Sequence, residues 1–182
     1  MKRAIVTPAA LAPTALSELK AWLGITTSLD DPQLTGLLHA ALEMCENFTG
    51  TMPLQQVCEE IVPAATGWHM LAARPVQAIT ALEGIPAEGA RFSLPVSNYA
   101  IELDADGGGR VLVTNPGVAG RIAVRFSAGL SPDWPSLPES LRHGVLRLAA
   151  FQYRQRESDA VVALPPAAVA ALWRPWRRIR LA

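Results

Sequence analysis

The sequence predicts an α+β fold: mainly a helical bundle, with three long helices plus a short C-terminal helix, and an inserted antiparallel β-sheet or small sandwich. Two patterns predict this class. Apolar residues recur at helical spacing near both ends of the chain, and they alternate with polar residues in short segments through its middle. Because Pro and Gly separate those short segments, we expect antiparallel strands joined by turns.

Two helices are predicted in the N-terminal part. The first spans residues 14–23 and ends at Gly24, a residue type that suits the left-handed end of a helix. The second is better defined, because Asp31 is a good N-cap, Pro32 fits the first helical position and Gly50 closes the helix. The second helix also carries an apolar stripe at helical spacing, made of Leu34, Leu37, Leu38, Ala41, Cys45 and Phe48.

The middle of the chain changes to the period of β-strands. Six segments alternate between apolar and polar residues or are rich in β-branched residues. They span residues 56–62, 68–71, 76–82, 99–103, 110–113 and 121–126. Residues 107–109 are all glycine and supply a hairpin turn between two of these strands.

A third long helix follows a Pro-rich loop. Ser136 and Glu139 make a capping-box pattern, and the helical pattern continues to about Arg156. We expect one compact domain plus a tail. The domain begins with an N-terminal helical hairpin (residues 1–52) and an antiparallel β region (53–130). A long C-terminal helix (131–160) then packs on the N-terminal helices, and a C-terminal docking segment (161–182) follows.

Charge is distributed unevenly along the chain. The 182 residues are 50% hydrophobic and have a formal net charge of zero, which argues against a general nucleic-acid binder. Residues 1–136 carry 8 Lys and Arg against 13 Asp and Glu, whereas residues 137–182 carry 8 against 3. An acidic body and a basic C-terminal quarter suit a subunit that meets its own copies or partners through charged faces, although a solvated basic helix would have the same composition.

The residue types that enzymes use are present but scattered. His39, His69 and His143 fall in three different predicted elements, and Cys45 and Cys58 do not form a CxxC pair. The glycine run has no following Lys-Ser or Lys-Thr, so it is not a phosphate loop. We therefore predict no catalytic, cofactor-binding or metal-binding residues and no cofactor. The sequence contains no run of 18 apolar residues, so no membrane partner is expected.

Three acidic residues alternate at the end of one predicted strand. Glu102, Asp104 and Asp106 place three carboxylates near a hairpin tip, where they could bind Ca²⁺. The EF-hand pattern fails, because Asn115 stands where the last acidic ligand is required. A solvated acidic hairpin tip is the favoured interpretation.

The C-terminal tail has the most unusual composition in the chain. Its tryptophans and arginines are Trp173, Arg174, Trp176, Arg177, Arg178 and Arg180. Trp and Arg are the residue types enriched in interface hot spots, which favours a docking segment for another protein. Two alternatives stay open: a surface that binds nucleic acid through phosphates and stacked bases, and a C-terminal helix packed on its own domain with its arginines in solvent.

The order of short motifs along the whole chain resembles the head-tail connector, or adaptor, family of long-tailed phages and gene transfer agents. Each motif is weak alone, and their order and spacing carry the resemblance. The motifs are Leu-Lys-Ala-Trp-Leu-Gly-Ile at 19–25, Leu-Asp-Asp-Pro at 29–32, Cys-Glu-Asn-Phe-Thr-Gly at 45–50, Arg-Pro-Val at 74–76, Phe-Ser-Ala-Gly at 126–129, Trp-Pro-Ser-Leu-Pro at 134–138, Arg-Glu at 156–157 and Leu-Trp-Arg-Pro-Trp-Arg at 172–177. The Gly- and Pro-rich segment from Gly84 to Pro95 departs from a minimal member of that family.

The resemblance implies a structural subunit of a virion or gene transfer agent particle, made in the bacterial cytoplasm and located at the head-tail interface. Such subunits form a ring of identical copies beneath the portal protein, taken here as a dodecamer. Duplex DNA passes through the channel without being read, and a stopper or other tail-proximal protein binds the far side. The family supplies no catalytic residues or cofactor. By this resemblance we assign portal docking to the six tryptophans and arginines of the tail.

Other functions remain as alternatives. A stopper or tail-terminator protein is the nearest, but such proteins are mostly β, and the three long helical patterns argue against them. A small DNA-binding regulator would need a basic chain with exposed base-reading side chains. An enzyme whose site assembles only in space ranks lowest, because no motif supports one.

Overall fold

A computed structural model describes residues 3–155 and 165–177. The chain forms two compact units, each built from two stretches of sequence. One unit, here called the β unit, comprises Met1–Ala9 and Gln55–Leu130. The other, the helical unit, comprises Ala10–Leu54 and Ser131–Ala182.

The described residues contain four α-helices and eight β-strands. The helices are α1 (Pro13–Leu23), α2 (Asp31–Thr49), α3 (Glu139–Gln155) and α4 (Ala167–Trp173). The strands are β1 (Arg3–Thr7), β2 (Gln56–Pro63), β3 (Trp68–Met70), β4 (Val76–Pro86), β5 (Phe92–Ser93), β6 (Tyr99–Leu103), β7 (Gly109–Val113) and β8 (Ala119–Ala128).

The β unit contains two antiparallel sheets. The larger has the strand order β1-β2-β8-β4-β5, and the smaller has the order β3-β7-β6. The central strand β8 shows why the larger sheet forms: Ile122, Val124 and Phe126 are buried, whereas Arg121 and Arg125 on the alternate positions are exposed. In the smaller sheet, β7 alternates in the same way. Period-two alternation thus gives each sheet one covered face.

Strand β4 is longer than its sequence pattern predicts. It pairs with β8 along its length, but the register shifts between Val76 and Ala78, between Ile79 and Ala81, and between Ile85 and Pro86. Each such bulge adds a residue to one strand and interrupts the alternation of side chains between the two faces. A sequence pattern based on strict alternation therefore ends the strand too early.

The helical unit is built on apolar faces of α1, α2 and α3. Four members of the stripe predicted on α2 are buried, whereas Leu37 and Phe48 are only half-buried. Trp134, in the loop before α3, is fully buried. The buried apolar side chains on the helices include Ala15, Leu19, Leu34, Leu38, Ala41, Cys45, Leu141, Val145, Leu148, Val169 and Trp173. Within the described ranges, no helix combines the length and apolar character needed to cross a membrane.

Helix ends follow local sequence rules with small changes. Gly24 and Gly50 terminate α1 and α2 with φ of 73° and 71°, values that glycine adopts without strain. The N-cap of α2 is Asp30, so the prediction of Asp31 is off by one residue, and Asp31 is instead the first helical residue. Pro138 directly precedes α3, which begins at Glu139.

The predicted fold class, a mainly helical bundle with three long helices, is wrong. Only α2 and α3 are long, since α1 has 11 residues, and the eight strands of two antiparallel sheets account for nearly as much of the chain as the helices. Two strands explain the difference. The bulged β4 reaches 11 residues, and β1 at the N-terminus pairs with β2 although its short segment carries no strong alternation signal.

Candidate docking surface at the C-terminal segment

The C-terminal segment comprises α4 and the 3-10 turn Arg174–Trp176 that follows it. Pro166 precedes α4 in an extended conformation, and the helix begins at Ala167. Along α4, Val169 and Trp173 are four residues apart and are both buried, so they lie on the same face of the helix. This face packs α4 onto the rest of the helical unit.

Trp173 is the main anchor of this segment. Its side chain has no solvent exposure, and its indole Nε1 donates a hydrogen bond to the backbone carbonyl of Leu141 at 3.4 Å. Its ring lies 6.0 Å from the ring of Phe48, tilted by 51°. Because a buried indole contributes a large apolar area and a satisfied donor, Trp173 ties α4 to α2 and α3.

Gly144 on α3 makes room for this indole. A Cβ at position 144 would overlap Nε1 of Trp173 and crowd the neighbouring ring atoms. Gly144 is itself buried, in the middle of a helix where glycine otherwise costs conformational entropy. Its presence is explained by the close approach of Trp173.

Trp176, Arg174 and Arg177 complete the described segment. Trp176 is half-buried, and its indole Nε1 donates a hydrogen bond to Oγ of Ser140 at 2.8 Å. The Arg177 guanidinium lies 5.7 Å from the centre of the Phe48 ring, within range of a cation–π interaction. Arg174 and Arg177 are both exposed. The tryptophans therefore hold the turn, and the arginines face solvent.

The six residues predicted to dock portal thus have different environments. Trp173 is a core residue, Trp176 is half-buried, and Arg174 and Arg177 are exposed without an ion pair among the described residues. Arg178 and Arg180 lie outside the described residues. The structure brings four of the six together at the end of α4 and in the turn that follows it, and their role in docking stays a prediction.

The acidic hairpin tip is engaged by arginines. Arg110 donates two hydrogen bonds to Glu102, at 2.8 and 3.0 Å, and this interaction lowers the pKa of the Glu102 carboxyl. Arg74 pairs with Asp106 at 3.1 Å. In the parts of the chain that the structure describes, no group of three or more His, Cys, Asp or Glu is arranged to hold a metal ion.

The cysteines are buried and reduced. Cys45 and Cys58 are not joined in a disulfide, and they lie in different units. Burial, with a smaller contribution from the nearby Glu46 charge, raises the pKa of the Cys45 thiol to about 12. This thiol is therefore protonated at neutral pH and is a poor nucleophile.

Sequence patterns did not reveal an apolar recess on the helical unit. The recess has a volume of about 220 Å³, and Trp22 and Phe151 contribute aromatic walls to it. Arg147 and Arg154 are exposed at its edge. Trp22 belongs to the motif at 19–25 that resembles the adaptor family. Its side chain is 43% exposed because of how α1 packs, and a sequence pattern does not predict that packing.

No protein-family model matches the sequence, and no curated protein matches it. Solved structures do match. A chain in the neck of an empty gene transfer agent (GTA) particle, computed with C6 symmetry, is 26% identical with a TM-score of 0.78, covering 100% of this chain and 98% of that one. The predicted resemblance to a head-tail neck protein is confirmed. A chain of the virion of a native GTA particle is also 26% identical, with a TM-score of 0.76 and the same coverage.

A third structure, the neck of a native GTA particle computed with C12 symmetry, contains a chain with 26% identity and a TM-score of 0.74. This match covers 98% of the present chain and 97% of the other. Since all three matches extend over nearly the full length of both chains, the likeness includes the β unit, the helical unit and the C-terminal segment.

Proposed function

We propose that this protein is a structural adaptor in the neck of a gene transfer agent or tailed-phage particle, and not an enzyme. The observation that carries this proposal is the full-length match to chains of GTA necks and virions. Its location would be the particle, at the junction of head and tail.

The adaptor would form a ring of twelve identical copies beneath the portal. Neck structures computed with C6 and C12 symmetry contain the matching chains, and twelve copies are compatible with both symmetries. A ring closes by heterologous contacts, in which one face of a subunit meets a different face of the next. The acidic and basic parts of the sequence suit such contacts.

The C-terminal segment would supply the portal contact. Trp173 and Trp176 fix the segment on the helical unit, which leaves Arg174 and Arg177 exposed in a defined place. Because the backbone that carries these arginines is already held by the two tryptophans, pairing with carboxylates on a partner costs no further ordering of that backbone. The far side of the ring would bind a stopper or another tail-proximal protein, and duplex DNA would pass through the channel without sequence reading.

Arginine substitutions test the portal contact more cleanly than a truncation at Trp173, because such a truncation removes a buried side chain. The double variant Arg174→Gln/Arg177→Gln should bind purified portal rings at least about tenfold more weakly, as two charge-assisted contacts are lost. The matched control is Arg91→Gln/Arg121→Gln, which removes two exposed arginines from the β unit. Co-sedimentation and negative-stain imaging measure the binding.

Equal portal binding by the two double variants would contradict the docking assignment. A protein that ignores portal but binds duplex DNA with a steep salt dependence would instead be a DNA-binding protein. A stopper or tail terminator is the second candidate, because two antiparallel sheets weaken the helical argument against it. A stopper would bind only to a portal already carrying another ring, so direct binding to bare portal separates the two roles.

A further inference from the structure

Two complementary features of the helical unit have no partner among its described residues, 10–54, 131–155 and 165–177. One is the apolar recess lined by Trp22, Phe151, Ala168 and Val169, with Arg147 and Arg154 at its edge. The other is Leu29, which is 87% exposed in the turn between α1 and α2. We propose that Leu29 of one copy enters this recess on the next copy in the ring, an inference that rests on the proposed ring.

The recess calls for an apolar side chain accompanied by negative charge. Its walls are aromatic and aliphatic, and its volume of about 220 Å³ is below that of a site for a drug-sized ligand. Arg147 and Arg154 are exposed and have no ion pair with any described residue. Guanidinium groups that no described carboxylate pairs with, beside an apolar depression, favour an occupant that brings carboxylates with it.

Leu29 has these properties. Asp30 and Asp31 follow it directly, and each uses one carboxylate oxygen internally: Tyr153 donates to Asp30 at 2.7 Å, and Lys20 pairs with Asp31 at 2.6 Å. Their other oxygens have no partner among the described residues and are available to arginines of a neighbouring copy.

The same two contacts hold the turn in place. Lys20 joins it to α1 and Tyr153 joins it to α3, so Leu29 projects from a turn fixed on both sides. A side chain held in its bound position before assembly loses less entropy on binding. A projecting leucine and a separate recess on one subunit also make a heterologous contact, the kind that closes a ring.

Disulfide cross-linking tests the contact directly. The double variant Leu29→Cys/Ala168→Cys should give a ladder of covalent oligomers that extends beyond dimers under mild oxidation. A mixture of the two single variants should stop at dimers. The native thiols should not interfere, because both are buried.

Assembly of substituted protein gives an independent readout. Leu29→Asp should raise the concentration needed for half-maximal ring formation, measured by native mass spectrometry with and without portal, by about tenfold or more. Val118→Asp is the matched control, since Val118 is a 78% exposed aliphatic residue of the β unit. It should assemble like the wild type.

The outcomes separate this contact from the ring itself. A wild type that forms no ring alone or with portal contradicts the proposed ring, and the contact falls with it. If the wild type forms rings but no cross-links appear and Leu29→Asp assembles normally, the contact is overturned and the ring is not. Dimers formed by the Leu29→Cys single variant would show a two-fold contact through Leu29 itself and would also overturn it.

Discussion

The two units use tryptophan and arginine in opposite ways. In the β unit, Trp68 is 45% exposed, and Arg110 lies over its ring at 5.1 Å while also pairing with Glu102. In the helical unit, Trp173 is fully buried and the neighbouring Arg174 is exposed without an ion pair among the described residues. One cluster pairs its arginine with a carboxylate, and the other leaves its arginine without an ion pair among the described residues.

This contrast extends to other arginines of each unit. Ion pairs engage at least four β-unit arginines, namely Arg74, Arg91, Arg110 and Arg125, whereas Arg121 has no ion pair among the described residues. In the helical unit, Arg142 is paired with Glu139 and Glu18, but several arginines have no ion pair within the described ranges: Arg147, Arg154, Arg174 and Arg177. Net charge alone therefore does not show which arginines are paired, because the units differ in ion pairing and not only in composition.

The largest expected effect is on Trp173. Trp173→Ala should lower the free energy of unfolding by about 3–5 kcal/mol, because it leaves a cavity in the core of the helical unit. Trp68→Ala should cost about 1 kcal/mol or less, since that ring is half exposed and mainly loses its contact with Arg110. Urea unfolding followed by circular dichroism measures both. Equal losses of unfolding free energy in the two variants would mean that Trp173 and Trp68 do not differ in how much they stabilise their units.

A smaller effect is expected at the glycine that accommodates the indole. Gly144→Ala should destabilise the protein by about 1–3 kcal/mol, because the new Cβ would overlap Trp173. Gly36→Ala is the matched control within a helix: its Cβ would meet nothing within 4 Å, so the protein should gain about 0.5–1 kcal/mol. If both substitutions shift the urea midpoint in the same direction, the close approach at Gly144 is not what constrains that position.

The smallest effect concerns Glu102 and its arginine. The hydrogen bonds from Arg110 lower the pKa of Glu102, so Arg110→Gln should raise that pKa toward the ordinary value of about 4.3. Because the pKa of the Glu102 carboxyl is lower in the folded protein than in the unfolded one, its ionised form stabilises the fold at pH values above the unfolded pKa. This stabilisation is lost as the pH falls through the folded pKa. The stability difference between wild type and Arg110→Gln should therefore shrink below about pH 4.

Carbon-13 NMR titration of the Glu102 carboxyl measures this shift, and Arg121→Gln serves as the control because Arg121 has no ion pair among the described residues. A Glu102 pKa that is the same in wild type and Arg110→Gln would mean that the pair does not persist in solution. The β-unit cluster would then resemble the unpaired arginines of the helical unit, and the contrast would disappear.

Local rules account for the parts of the fold that were predicted well. Pro32 and Gly50 bound α2, and the apolar spacing between them identifies the buried residues Leu34, Leu38 and Cys45. These signals depend only on neighbouring residues along the chain. The same rules underestimated the β unit, because the bulges in β4 break the alternation on which a strand prediction depends.

The tail shows the same limit at the candidate site. Its composition pointed to Trp173 and Arg174 together as docking residues, although the first is a core residue and the second is exposed. Composition does not distinguish these environments, because the burial of Trp173 depends on Gly144, which lies on another helix and makes room for the indole.

The sequence by itself determined the resemblance to neck proteins, the principal helices and the uneven charge, since motif order, apolar spacing and composition are properties of the chain alone. Only the tertiary structure decided which arginines remain unpaired, and it also placed Trp22 and Phe151 around one recess and left Leu29 exposed. The physical reason is that pairing and burial are set by contacts between residues distant in sequence, which only packing brings together.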